Sequence, residues 1–177
     1  MDFRKAFPCR FFLAHALALC VTAAVAAPLT GVVVSVVDGD TLIVQDGQRQ
    51  RYTVRLAGID APERLQPFGR RSQTSLSAMV FNREVEIAGN PRMLNGRLLG
   101  KVMAADPNCN APGCPKIHDV NLMQVMSGMA WWYRHFANEQ SPRDREEYEA
   151  AEFNAKIRRI GLWAGKNPVP PWEWRRR

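Results

Sequence analysis

A chain of 177 residues, 46% hydrophobic and 23% charged, is neither a disordered nor a collagen-like polymer, and its length suits one globular domain with a tail. Its 24 Lys+Arg against 17 Asp+Glu give a formal charge of +7, a balance that suits a polyanionic partner. With only 3 His, histidine-rich metal centres and most histidine-based catalysis are disfavoured.

Residues 1–26 read as an export signal. Arg4, Lys5 and Arg10 form a positive start, residues 11–26 an apolar run, and Ala24-Val25-Ala26 an A-x-A cleavage site. Cleavage there leaves Ala27 first and lowers the charge to +5, because three basic residues and Asp2 are lost. The apolar run is too short for the roughly 20 residues of a membrane span, and His15 interrupts it. Leu17-Ala18-Leu19-Cys20 is a poor lipoprotein signal, since Leu19 is large where a small residue is needed. The expectation is an exported protein, periplasmic or secreted, without stable membrane association and monomeric.

Residues 31–56 alternate β-branched runs with turn signals: GVVVSVV, Asp38-Gly39, TLIVQ, Asp46-Gly47, RYTVRL. This pattern predicts a meander of three strands. Leu76, Met79 and Val80 fall at helical spacing within residues 69–82, and short strands follow at 84–88 and 98–104. Residues 108–116, rich in Pro, Gly and Asn, read as a surface loop. That loop holds Cys109 and Cys114, the pair left after export, which reads as a disulfide; a zinc site using both with His118 would lack a fourth ligand. Helices are predicted at 120–129 and 142–160, the second with Phe153, Ile157 and Ile160 as its apolar stripe and Gly161 as its end. The segment NPVPPWEWRRR reads as extended, with its last three arginines solvated. The domains are thus a signal peptide at 1–26, a folded domain at 27–165 and a tail at 166–177. Five strands broken by a helix, with about three helices in all, are compatible with an OB-type Greek-key barrel.

No nucleophile elbow, phosphate-binding loop, dinucleotide fingerprint or H-E-x-x-H motif is present. A nuclease using His118 and His135 as acid and base is formally open, although nothing in the sequence brings the two rings together. The acids say more. Asp38-Gly39-Asp40 sits at one strand turn, and Ile59-Asp60-Ala61-Pro62-Glu63 follows the third strand. If the second and third strands pair about Asp46-Gly47, the position opposite Asp40 falls near Arg55, and Asp60 and Glu63 emerge at the same rim.

The strings V-V-D-G-D-T, V-R-L-A-G-I-D-A-P-E, Q-P-F-G and N-G-R-L-L-G, in this order, resemble the staphylococcal nuclease (thermonuclease) family over residues 32–163. Two departures are Asn95 where the family usually has Tyr, and the cysteine loop as an insertion. The resemblance implies Ca²⁺ held by the Asp40 and Asp60 carboxylates and the Ala61 carbonyl, with Asp38 an outer acid. It also implies Glu63 as general base and Arg55 and Arg97 as phosphate-binding residues, acting on DNA and RNA and leaving 3′-phosphate ends. Tyr133 is left outside the site, because Trp131-Trp132-Tyr133 reads as core packing. Trp172 and Trp174 read as folding back onto the barrel. The rival reading is a non-catalytic OB-fold nucleic-acid-binding protein, and a third is an exported scaffold that binds calcium only for stability.

Overall fold

The computed structural model describes residues 28–109, 111 and 113–177, so the segment at 1–26 read as an export signal lies outside the described residues. Strands β1 (Leu29–Val36), β2 (Thr41–Gln45) and β3 (Arg51–Leu56) form the expected antiparallel meander. The Asp46 carboxylate accepts from the Gln48 and Gln50 N–H groups at 2.9 Å, which fixes the turn and a register with Thr41 opposite Arg55. The two-residue strand β4 (Ile59–Asp60) and helix α1 (Gly69–Val80) follow. Strands β5 (Glu84–Leu94) and β6 (Arg97–Ala105) then return the chain to the sheet.

β1 pairs with β5, β5 with β6, and β6 runs parallel to β3, so five strands close into a barrel. Each of these five strands pairs with at least two others, and the small strand β7 (Lys116–Asp119) adds to β6. Alternate residues point inward, as a two-residue period requires: Val33, Leu42, Val44, Val54, Leu56, Val85, Ile87 and Val102 are all fully buried. Leu76 and Val80 of α1 and Val120 and Val125 of α2 (Val120–Met126) cover this core. Strand β8 (Trp131–Trp132) then pairs with β4, setting Asp60 opposite Trp131. Helices α3 (Pro142–Ile157) and α4 (Pro171–Trp174) complete the chain.

Four expectations are corrected. β5 continues past Ala88 to Leu94 through a register shift between Ala88 and Arg92, an irregularity that tolerates Pro91. α2 stops at Met126, short of residue 129. The stripe assigned to the helix at 142–160 is wrong, because Phe153 and Ile157 are exposed while Tyr148, Ala151, Glu152 and Ala155 are buried. Two alanines on the inner face let α3 lie close to its neighbours, and buried Glu152 is satisfied by the Trp132 N–H, Arg134 and Lys156. Finally, the tail is not extended throughout. It forms α4 and packs Trp172 edge-on against Trp131, with ring centroids 6.5 Å apart. The Cys109 and Cys114 sulfurs are bonded to each other, as the disulfide reading expects.

The loop between β1 and β2 is held from behind by polar side chains. Buried Gln124 donates to the Gly39 carbonyl at 2.7 Å and to the Ser72 carbonyl at 3.1 Å, and the Ser72 hydroxyl donates to the Met129 carbonyl at 2.7 Å. Gly39 has no room for a side chain, since a Cβ there would lie 1.9 Å from Ser72 Oγ and 2.8 Å from Ala61 Cβ. Gly39→Ala is therefore expected to destabilise the protein by about 1–3 kcal/mol through overpacking. A urea melt checks this, and an unchanged midpoint would show that α1 is not fixed against the loop.

Candidate active site

Arg55 is the hub of the site. Leaving the barrel on β3 opposite Thr41, it sends Nη1 to Asp40 Oδ1 at 2.7 Å and Nη2 to Asp60 Oδ1 at 2.6 Å. Both carboxylates are buried, at 1% and 0% exposure, so the forked guanidinium compensates two charges that water does not reach. Asp40 also accepts from the Thr41 hydroxyl at 3.1 Å and, through Oδ2, from the Ala61 N–H at 2.6 Å. Asp38 supports this loop by accepting from the Asp40 N–H at 3.0 Å.

Burial, reinforced by Asp38 and Asp60, pushes the Asp40 carboxyl up to about 8, against the pull of Arg55 and the Ala61 N–H. Arg55, despite its own burial, is held above its ordinary value by Asp40 and Asp60. A carboxyl driven toward its neutral form by burial is one whose ionised form a further cation would stabilise. Among the described residues no three His, Cys, Asp or Glu side chains are grouped to hold a metal. A cation here would therefore rest on two carboxylates plus backbone and water oxygens, a hard, all-oxygen set that suits calcium's irregular coordination.

Glu63 lies on the loop between β4 and α1. Its N–H donates to Gln66 Oε1 at 3.1 Å, and the loop turns back so closely that a Cβ on Gly69 would lie 2.0 Å from the Glu63 carbonyl oxygen. The Q-P-F-G string is thus the hinge that aims Glu63. Arg97 arrives by another route: Asn95 and Gly96, at φ 50° and 75°, close a two-residue hairpin between β5 and β6, and Arg97 is the first residue after it. Asn95 suits this left-handed position, which accounts for its presence there.

Asp38, Arg55, Glu63, Arg97 and Tyr133 line one cavity of about 490 Å³. The candidate residues are therefore gathered from four segments around a single concavity, with Asp40 and Asp60 buried behind Arg55. Tyr133, left out on sequence grounds, is on the wall, its ring 5.3 Å from that of Trp172. His118 pairs with Asp106 at 3.6 Å, whereas His135 packs against Tyr133 and Phe136; the two rings have different neighbours and share no site.

Arg175 was missed altogether. Read as part of a solvated end, it instead bonds Asp60 Oδ2 through Nη2 at 2.8 Å and Glu63 Oε1 through Nη1 at 2.7 Å, and it lines the same cavity. Its guanidinium is raised further above its ordinary value, chiefly by the hydrogen bond to Asp60. The paired prolines before W-E-W were a usable signal for a short helix start. Nothing local pointed to a contact spanning 115 residues.

A micrococcal nuclease of Shigella flexneri is 39% identical over 164 residues, covering 93% of this chain and 90% of that protein. Protein ParB of Escherichia coli is 41% identical over 164 residues, with 92% and 89% covered. An uncharacterized endonuclease of Haemophilus influenzae is 36% identical over 144 residues, with 81% and 71% covered. The family profile described as staphylococcal nuclease homologue matches residues 53–165, which include Arg55, Asp60, Glu63 and Arg97. With an OB-type barrel and near-complete alignment to such relatives, the chain belongs to the staphylococcal nuclease homologue family.

Proposed function

We propose that this protein is an exported, calcium-dependent endonuclease that hydrolyses phosphodiester bonds in DNA and RNA and leaves 3′-phosphate ends. One observation carries the reading: two buried carboxylates meet on a single arginine, while Glu63 and Arg97 face the same cavity. A binding module needs positive charge and stacking surfaces, but it has no use for buried acids beside the phosphate site.

In this reading the substrate phosphate enters the cavity between Arg55 and Arg97. Each presents a planar fork of donors to oxygens that gain charge as phosphorus is attacked. Glu63 takes a proton from the attacking water, which makes it a better nucleophile. As the water oxygen bonds to phosphorus, the bond from phosphorus to the 5′-oxygen breaks and that oxygen leaves, taking a proton from solvent water. Calcium, when bound through Asp40, Asp60 and the Ala61 carbonyl, supplies compensation for the charge gathering on the phosphate. Tyr133, at the cavity wall, offers a face on which a base can stack. Net positive charge draws the polyanion from a distance, an attraction that weakens with salt.

Defined DNA and RNA oligonucleotides, digested with calcium, magnesium or chelator and analysed by mass spectrometry, test the proposal. Calcium is expected to support cleavage to 3′-phosphate ends, and magnesium to serve poorly because it keeps its waters and demands octahedral geometry. Asp40→Ala is expected to remove calcium-dependent cleavage. Undiminished cleavage in chelator, or by Asp40→Ala, would sink the metal-based reading.

A further inference from the structure

Arg175 already sits on the carboxylates that the calcium reading requires. Both Asp60 oxygens accept from it, Oδ1 at 3.2 Å and Oδ2 at 2.8 Å, and Glu63 Oε1 accepts at 2.7 Å. This conflicts with the chemistry proposed above. With Arg55 already on Oδ1, Arg175 takes up the Asp60 positions that a divalent cation needs, and a third positive charge at that one carboxylate is repelled by both guanidinium groups. Moreover, a Glu63 oxygen engaged by Arg175 is unavailable to a water proton.

The tail that carries Arg175 is built to dock. Pro171 is buried, and Trp172 packs against Trp131 and Tyr133. Gln66 holds both partners at once, with Oε1 accepting from the Glu63 N–H and Nε2 donating to the Val169 carbonyl. The docked tail and the aimed Glu63 loop therefore share one clamp. Arg175 itself, by contrast, is free to leave. Its side chain is 42% exposed where that of Arg55 is 23%. Swinging it into water costs little beyond the ion pairs themselves.

We infer that Arg175 is the resident cation of this site: it compensates Asp60 and Glu63 in the metal-free protein and is exchanged for the divalent cation on activation. This rests on the calcium reading above. The exchange makes the C-terminal segment an internal competitor. Only the fraction of molecules with Arg175 displaced binds the cation at full strength, so the apparent affinity is lowered by that fraction. In return, Asp60 is not left as a buried carboxylate compensated by Arg55 alone when calcium is scarce.

Calcium titration by isothermal calorimetry on the purified protein tests the exchange without relying on activity. Arg175→Gln is expected to tighten calcium binding on the order of tenfold, the scale of a charge-assisted pair partly exposed to solvent. Arg176→Gln, which removes the same charge one residue on, is expected to stay within about twofold of the parent, so net charge alone is controlled. Asp40→Asn is expected to abolish the calcium signal, which ties it to this site. Equal or weaker binding by Arg175→Gln would overturn the exchange and leave the calcium reading standing. Absence of calcium binding in the parent protein and in every variant would overturn both.

Discussion

Glu63→Gln is expected to lower turnover on DNA by about 10²–10⁴-fold, the usual worth of a positioned base, while leaving DNA affinity nearly unchanged. The amide keeps the size and a hydrogen-bonding oxygen but does not accept a proton at neutral pH. Glu63 is also half exposed and on a loop, outside the buried Asp40–Arg55–Asp60 network, so its replacement is expected to cost little stability. Loss of rate without loss of binding is the signature of an interaction that belongs to the chemical step. Single-turnover rates and filter binding on the same variant check it. Undiminished turnover would keep the nuclease and reject Glu63 as base; a matched fall in binding would make it a substrate contact.

Arg55 is expected to fail in two ways where Arg97 fails in one. Arg55→Ala strands buried Asp40 and leaves Asp60 to Arg175 alone, a change that costs about 3 kcal/mol, near the low end for breaking a buried pair because Asp40 can take up a proton and Asp60 keeps one partner. Arg55→Lys keeps the charge but cannot reach Asp40 and Asp60 with a fork while also offering planar donors to phosphate. It is expected to lose on the order of 10² to 10³ in rate, by analogy with oxyanion donors. Arg97→Lys is expected to show a similar rate loss with an unchanged denaturation midpoint, since Arg97 is exposed at the end of a hairpin. Urea melts beside initial rates separate the two. Equal stability of Arg55→Ala and the parent would mean that Asp40 and Asp60 do not depend on the pair.

What was legible in the sequence was what local rules control. Asp38-Gly39 and Asp46-Gly47 mark turns whose geometry follows from their own residues, so the meander and the approach of Arg55 to Asp40 could be read from spacing. The extension of β5 was hidden by Asn90-Pro91, which signals a loop unless an irregularity in the partner register absorbs it. Asn95-Gly96 is a hairpin signal in its own right, but it joins strands only because β5 runs on to Leu94, beyond the strand expected at 84–88. The face of α3 was misjudged for a different reason. Large apolar residues dominate periodicity, but packing against α2 selects small ones, and Phe153 and Ile157 were left outside. Arg175 lay beyond any local reading, because its partners are set by how the tail crosses the barrel after α3.

The most direct measurement of the central claim is the release of acid-soluble nucleotides from DNA by the purified protein, with calcium and with excess chelator, across neutral and alkaline pH. Calcium-dependent release is expected, stopping in chelator and returning when calcium is restored. Tight binding of single-stranded DNA with no release at any of these pH values would contradict it and identify the barrel as a nucleic-acid-binding module.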